Sequence, residues 1–238
     1  MHFLVFQHIA CEHPAIFREF MRQDGITWDT VALDEGGVIP GLEGYDALLV
    51  MGGPMDVWQK EDNPWLVAEL AAINEWVSLG KPYLGFCLGH QLLAEAMGGE
   101  VGPSKTPEIG ILPVDLTPEG STHWFFSGAH NTLNALQWHS AEVTKMPEGG
   151  MVLAQSNDCA VNAMAYGDHA VSVQFHVELM ENTVREWGDI PEYANALNKA
   201  LGDGAMPKLI ESAQQKMPEF NSVSKVLYDN FIQHLASN

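Results

Sequence analysis

The chain of 238 residues carries 11 basic and 31 acidic side chains, which gives a formal net charge of −20. Because so acidic a chain repels phosphate backbones and anionic lipid surfaces, its charge argues against nucleic-acid and membrane binding. Hydrophobic residues make up 46% of the sequence, as in a globular protein with a sizeable core. The three cysteines are too few and too scattered for a disulfide framework, which favours a reducing, cytoplasmic location.

Apolar runs and helical spacing alternate along the first hundred residues. The apolar start lacks the basic flank of a signal peptide, and no run approaches the roughly 20 apolar residues of a transmembrane helix. Four strands are predicted, at residues 2–8, 26–33, 45–53 and 82–86. Helices are predicted at residues 14–25, 64–79 and 88–99, the second with Asn63 as its N-cap. This alternation predicts an α/β fold with an open, mostly parallel sheet and helices on both faces.

The second half of the chain has a different order. Five short β-like runs follow with little helix between them, at residues 108–116, 135–140, 150–156, 160–167 and 170–178. From about Leu179 onward the spacing is helical. Because no flexible linker precedes this tail, we expect residues 1–180 to form one domain and residues 181–238 a helical C-terminal extension packed on it.

The segment Gly85-Phe86-Cys87-Leu88-Gly89 lies where an apolar strand passes directly into a helix. This is the context of a nucleophile elbow, with cysteine in place of serine. Side chains two residues before and after the nucleophile would collide at such a turn, which explains both glycines. The helix N-terminus should lower the pKa of the thiol and favour the reactive thiolate. A small core cysteine on a tight turn is the alternative for this motif alone.

Two further motifs follow predicted strands. His176 and Glu178 are two residues apart in the last β-like run, so a strand would project both side chains to one side and let the glutamate orient the imidazole. Taken alone, the pair also fits a half-buried strand that ends in solvated polar residues. Gly52 and Gly53 follow the third strand, where glycine amides can serve as oxyanion donors. Because all these residues follow predicted strands, they should meet at the edge of the sheet where open α/β folds place their sites.

Together these motifs resemble the class I, triad-type glutamine amidotransferases. The chain is most similar to the glutaminase part of GMP synthetase and to stand-alone γ-glutamyl peptidases. The matching segments, which keep the order and spacing of the family, are LLVMGGPMDV, PYLGFCLGHQLLAEAMGG, EIGILPVDLT, LQWHSAEV and AVSVQFHVE. The resemblance covers roughly residues 2–180 and implies a flavodoxin-like fold. Where the family usually has His-Pro-Glu, this chain has His176-Val177-Glu178, a change that should affect only the backbone.

The resemblance also implies roles for individual residues. Cys87 would form a γ-glutamyl thioester, His176 would move the protons and Glu178 would hold His176. The backbone amides of Gly53 and Leu88 would form the oxyanion hole. The remaining family positions near the substrate are Gln91, Gly52 and His139.

Three functions remain open from the sequence. The first is hydrolysis of the γ-amide of glutamine. Because nothing here resembles an ATP-using synthetase domain, the ammonia would then pass to a separate synthetase subunit. The second is a free-standing γ-glutamyl peptidase or amidase with the same triad. The third is a non-catalytic regulatory relative, against which the intact set of Cys87, His176 and Glu178 argues.

A metal site is the remaining candidate from the sequence. His8, Cys11 and His13 are close enough in sequence to suggest one. They follow the first strand, however, where the relatives also carry a polar loop, and no CxxC pair supports zinc. We therefore expect neither a metal nor a cofactor.

Overall fold

A computed structural model of the chain describes residues 1–237 and shows one nine-stranded sheet within that range. The strands are β1 (His2–Gln7), β2 (Thr27–Ala32), β3 (Ala47–Val50), β4 (Tyr83–Phe86), β5 (Glu100–Leu116), β6 (Thr132–Lys145), β7 (Gly150–Gln155), β8 (Ala163–Tyr166) and β9 (Ala170–Val173). Their order across the sheet is β2-β1-β3-β4-β9-β8-β7-β5-β6.

The sheet has a parallel half and an antiparallel half. The five strands from β2 to β9 pair in parallel, as the βαβ alternation predicts, and this half has the flavodoxin-like arrangement that the resemblance implies. The four pairings from β9 to β6 are antiparallel. Strands β5 and β6, with 17 and 14 residues, are longer than predicted. Residues 100–107 were missed because they contain one glycine and two prolines, which are rare in strands.

Helices cover both faces of the sheet, as predicted. They are α1 (Ala15–Gln23), α2 (Trp65–Ser78), α3 (Leu88–Ala96), α4 (Pro118–Thr122), α5 (Thr183–Gly188), α6 (Pro191–Leu201) and α7 (Ala205–Ser237), with a short 3₁₀ turn at Trp124–Phe126. Helix α2 begins one residue later than predicted, because Pro64 rather than Asn63 occupies the cap position.

Alternate residues of the central strands face two separate cores. In β1, Phe3 and Val5 join the core beneath α1 and α7, whereas Leu4 and Phe6 join the core beneath α2 and α3. All four are at most 1% exposed. The period of two residues is that of a strand buried on both faces, which is why parallel strands read as continuous apolar runs.

The C-terminal helices pack on the first of these cores. Phe231 of α7 meets Phe3 edge to face with ring centroids 6.4 Å apart. The Tyr228 hydroxyl donates a hydrogen bond of 2.8 Å to Asp24, just after α1. None of the helices within residues 1–237 is both long enough and apolar enough to cross a membrane.

Candidate active site

Cys87 lies at a sharp turn between β4 and α3. Its backbone has φ 47° and ψ −101°, a conformation that non-glycine residues rarely adopt. A Cβ on Gly85 would lie 2.7 Å from the Gly89 carbonyl oxygen, and one on Gly89 would lie 2.2 Å from the Val50 carbonyl oxygen. Neither position has room for a side chain, which confirms the steric reason for the two glycines.

Cys87 is 6% exposed, and its thiol lies beside two side chains from the segment after β9. Gln174 Nε2 donates to Sγ at 3.4 Å, and the His176 imidazole lies near enough to the thiol to lower its pKa. Burial raises the pKa of Cys87, although the charge and hydrogen bond of His176 lower it. From the sequence we expected the helix N-terminus to lower this pKa. The net shift of the Cys87 pKa is upward, because the effect of burial is larger than the effects that lower it. Thiolate formation must depend on a charged His176 beside it.

His176 and Glu178 lie beyond the end of β9, not on the strand as predicted. The strand ends at Val173, and His176 is fixed by an antiparallel bridge to Leu136 of β6, with N–O distances of 2.9 and 3.0 Å. The two side chains still meet: Glu178 Oε1 lies 2.6 Å from His176 Nδ1. The second carboxylate oxygen accepts a hydrogen bond of 3.0 Å from the Val177 amide. The carboxylate is thus anchored, and the ring is left with Nε2 for the thiol.

The charge balance around His176 favours the imidazolium. Burial would lower the pKa of this histidine, but the charge of Glu178 and hydrogen bonds to Cys87 and Glu178 raise it well above its ordinary value. Trp187 of α5 packs edge-on against the imidazole with ring centroids 4.6 Å apart. An imidazolium held between a carboxylate and a thiol supports a thiolate–imidazolium pair.

The Gly52–Gly53 loop follows β3 and faces the elbow. The Gly52 carbonyl accepts a hydrogen bond of 2.9 Å from His8 Nδ1, and a Cβ on Gly53 would lie 3.1 Å from the Leu88 side chain. Within residues 1–237, the backbone amides of Gly53 and Leu88 donate to no protein acceptor. Both are therefore available to a negatively charged oxygen near Cys87.

A cavity of about 130 Å³ opens beside the thiol. Five of the predicted site residues line it: Gly53, Cys87, Leu88, Gln91 and His139. The other three, Gly52, His176 and Glu178, do not line this cavity. Helix α6 forms part of the wall through Glu192, Tyr193 and Ala196, a contribution that was not predicted from the sequence.

Two glutamines form a hydrogen-bonded chain that ends at the sulfur. Gln91 Nε2 donates to Gln174 Oε1 at 3.0 Å and to the Ala141 carbonyl at 3.3 Å, and Gln174 in turn donates to Sγ. Gln174 was missed, although its position two residues before His176 is a signal that could have indicated it. Because the side-chain nitrogen of Gln91 already donates two hydrogen bonds, its side-chain oxygen is the atom left to contact a molecule in the cavity.

His139 belongs to a buried polar network. Its ring nitrogens lie 3.0 Å from the Ala141 carbonyl and 3.1 Å from Glu108 Oε2. Burial raises the pKa of Glu108, but hydrogen bonds from His139, Ser156 and Asn162 outweigh it and lower the pKa overall. His139 thus forms the cavity wall with both nitrogens occupied.

Within residues 1–237, one group of side chains has metal-ligand spacing, formed by Glu108, His139 and Cys159. Burial raises the pKa of Cys159 to about 12, and His139 is already hydrogen-bonded on both nitrogens. In this arrangement His139 therefore has no free nitrogen to offer a metal ion. In the candidate set near the first strand, both nitrogens of His8 are engaged, by Gly52 and Glu69.

The chain is similar to several known proteins. Residues 17–186 match the family Glutamine amidotransferase class-I. A subunit of the glutamine-hydrolyzing GMP synthase of Sulfolobus acidocaldarius is 32% identical over 152 residues, covering 63% of this chain and 77% of that protein. Gamma-glutamyl peptidase 5 of Arabidopsis thaliana is 25% identical over 215 residues, covering 88% of this chain and 84% of that protein.

A solved structure extends the likeness to almost the whole chain. A glutamine amidotransferase from Thermotoga maritima superposes with a TM-score of 0.86 at 25% identity, covering 98% of both chains. The family match spans well over half of the sequence and includes the elbow, the Gly52–Gly53 loop and the segment carrying His176 and Glu178. The chain therefore belongs to the class I glutamine amidotransferase family.

Proposed function

We propose that this protein hydrolyses the γ-amide of glutamine through a γ-glutamyl thioester on Cys87. The observation that carries the proposal is that His176 and Glu178 converge on the Cys87 thiol, which lines the cavity beside two unpaired backbone amides. The nucleophile comes from the elbow, and the base and its orienting carboxylate come from the segment after β9; a cysteine buried only for packing would not need them. The same set argues against a non-catalytic relative.

In the first half of the proposed reaction, His176 Nε2 already holds the thiol proton as the imidazolium, and the thiolate Sγ attacks the γ-carbonyl carbon. The resulting oxyanion accepts hydrogen bonds from the Gly53 and Leu88 amides, each worth about 3 kcal/mol in sites of this kind. Collapse breaks the C–N bond, and His176 returns the proton to the leaving nitrogen, which departs as ammonia. Glu178 stabilises the imidazolium between these two transfers.

In the second half, water replaces ammonia. His176 takes a proton from the water as its oxygen attacks the thioester carbon. The C–S bond then breaks, glutamate is released and His176 keeps the proton taken from water, which restores the thiolate–imidazolium pair. In this scheme Gln91 and His139 shape the cavity wall around the substrate, and Gly52 brings the oxyanion loop close to His176.

The released ammonia would be used by a separate synthetase subunit. The Sulfolobus acidocaldarius relative is named as one subunit of a GMP synthase, that is, as part of a divided enzyme, which supports this arrangement. We assign the reaction to residues 1–180, with residues 181–238 as a helical extension packed on this unit. The extension supplies one wall of the cavity through α6.

A free-standing γ-glutamyl peptidase is the second candidate, and the same wall favours it. Gamma-glutamyl peptidase 5 aligns over 88% of this chain, a share that must extend past residue 180 and include α6. A helix that lines the cavity beside Cys87 can contact a leaving group larger than ammonia. Such an enzyme would cleave the same γ-carbonyl bond but would need no synthetase partner.

One mass-spectrometric experiment separates these functions. The protein would be incubated with glutamine and with a panel of γ-glutamyl amides and dipeptides, and free glutamate would be measured. Glutamate mainly from glutamine supports the first proposal, and faster turnover of the dipeptides supports the second. Cys87→Ala should abolish turnover while Cys11→Ala, the matched control at a cysteine outside the site, should retain it. Full activity of Cys87→Ala would remove Cys87 as the nucleophile.

A further inference from the structure

Glu12 is a buried carboxylate that the reaction scheme leaves without a role. It lies in the loop between β1 and α1 and is only 3% exposed. Its Oε2 packs directly against Gly52. A Cβ added to Gly52 would lie 1.8 Å from Glu12 Oε2 and 3.4 Å from His176 Cε1. The Glu12 carboxylate thus lies against the oxyanion loop at the point where that loop approaches the imidazole.

Tyr193 of α6 holds this carboxylate from the other side. Its hydroxyl donates a hydrogen bond to Glu12 Oε1. The tyrosine is itself fixed, since its carbonyl accepts a hydrogen bond of 3.2 Å from Trp138 Nε1. Its ring packs against those of Trp138 and Trp187, at centroid distances of 5.7 and 5.8 Å. The hydrogen bond between Tyr193 and Glu12 joins the C-terminal helices to the catalytic loops.

We propose that Glu12 and Tyr193 are positioning residues for the reaction. Tyr193 keeps the Glu12 carboxylate ionised and in place, and the charge of Glu12 supports the imidazolium form of His176. This inference rests on the proposed function, because it assigns Glu12 a part in the same proton transfers. It also gives α6 a role beyond that of a cavity wall.

The groups that face Glu12 determine its charge. They are His8 and Cys11 from its own loop, His176 and Glu178 from the segment after β9, Cys87 at the elbow and Tyr193 from α6. Burial raises the pKa of Glu12 to about 7; His176 and His8 lower it, and Glu178 raises it further. Near neutral pH the carboxylate is therefore close to its titration midpoint, where the loss of one hydrogen-bond donor changes its charge.

The first test measures the pH dependence of kcat/KM. Tyr193→Phe removes the donor, so kcat/KM should fall about fivefold at pH 7 and recover as the pH rises. Glu12→Gln removes the charge, so kcat/KM should fall about tenfold and any titration near neutrality that belongs to Glu12 should disappear from the profile. Tyr228→Phe is the matched control, because it deletes another tyrosine–carboxylate bond of the extension far from the thiol. It should stay within about twofold of wild type.

The second test does not require the proposed substrate. Alkylation of Cys87 by iodoacetamide would be followed against pH by mass spectrometry of its peptide, which separates it from Cys11 and Cys159. Because the Glu12 charge raises the pKa of Cys87, Glu12→Gln should move the midpoint of this profile down by about one pH unit. Tyr193→Phe should move it in the same direction by less.

The outcomes of these tests can be told apart. If the wild type turns over no γ-glutamyl compound but the alkylation midpoint moves as expected, the proposed function fails and the coupling of Glu12 to the thiol stands. If both variants keep the wild-type alkylation midpoint and the wild-type shape of the kcat/KM profile, the role of Glu12 and Tyr193 is refuted. An equal loss of activity in all three variants at every pH would also overturn it, because a purely structural role predicts that result.

Discussion

Substituting Gly89 by alanine tests the steric account of the elbow. The added Cβ would lie 2.2 Å from the Val50 carbonyl oxygen and 2.8 Å from its carbon, whereas ordinary contact begins at 3.4 Å. The opposing atoms belong to the backbone of β3, so α3 must move away by about 1 Å. The Gly89 amide also donates a hydrogen bond of 3.1 Å to the Met51 carbonyl, which this movement would stretch.

The expected cost follows from that displacement. Overpacking of this kind costs about 2 kcal/mol, which lowers Tm by roughly 4–8 °C in a chain of this size. Because α3 carries the Leu88 amide and abuts Cys87, a shift of about 1 Å should lower kcat about a hundredfold. The two losses should therefore be of similar size in free energy, because a hundredfold fall in kcat corresponds to about 2.7 kcal/mol.

Thermal unfolding by circular dichroism and turnover of the preferred γ-glutamyl substrate measure the two effects. Gly102→Ala is the matched control, because a Cβ there meets nothing closer than 3.4 Å. It should leave both quantities close to wild type. If Gly89→Ala melts within about 1 °C of wild type and keeps half of its turnover, the elbow does not depend on this contact.

Three further predictions concern individual side chains. His176→Ala should lower kcat/KM by about 10²–10⁴-fold through loss of the general base, and steady-state rates within about threefold of wild type would contradict that role. Gln174→Leu removes the hydrogen bond to Sγ, so the pKa of Cys87 measured by alkylation should rise and kcat/KM should fall about tenfold. An unchanged alkylation profile would exclude a role for Gln174. Glu12 has a pKa of about 7 in the folded chain, against an ordinary value of 4.5. Its ionisation therefore lowers the free energy of unfolding, and the loss grows as the pH rises from 4.5 to 7. Glu12→Gln should therefore raise the free energy of unfolding in urea by up to about 3 kcal/mol at pH 8 and by almost nothing at pH 4, and equal effects at the two pH values would refute the burial argument.

The local features of the fold were readable from the sequence. The parallel half was predicted because β1, β3 and β4 are buried on both faces and read as continuous apolar runs. The elbow was predicted because a strand, a glycine-framed cysteine and a helix adjoin one another within a few residues. The family match then agrees with the resemblance based on these motifs.

Other features depend on residues distant in the sequence. The position of His176 is fixed by Leu136 of another strand, so a prediction from spacing alone placed it on a β9 that in fact ends at Val173. The direction of the pKa shift of Cys87 depends on its burial by the whole fold, which a local motif cannot show.

The contacts of Glu12 and Gln174 are likewise formed across long separations. Glu12 meets Tyr193 across 181 residues, and Gln174 meets Cys87 across 87. No periodicity or local spacing links such pairs. The sequence therefore located the candidate catalytic residues, and only the folded chain shows which side chains pack against them.

The bridge between Leu136 and His176 also links the proposed general base to the edge strand of the sheet. β6 ends the strand order, and two of its main-chain groups hold the imidazole residue by hydrogen bonds of 2.9 and 3.0 Å. Four later residues of the same strand line the cavity, namely Trp138, His139, Ser140 and Ala141. A displacement of β6 would therefore be transmitted to His176 through these main-chain hydrogen bonds and not through Cys87.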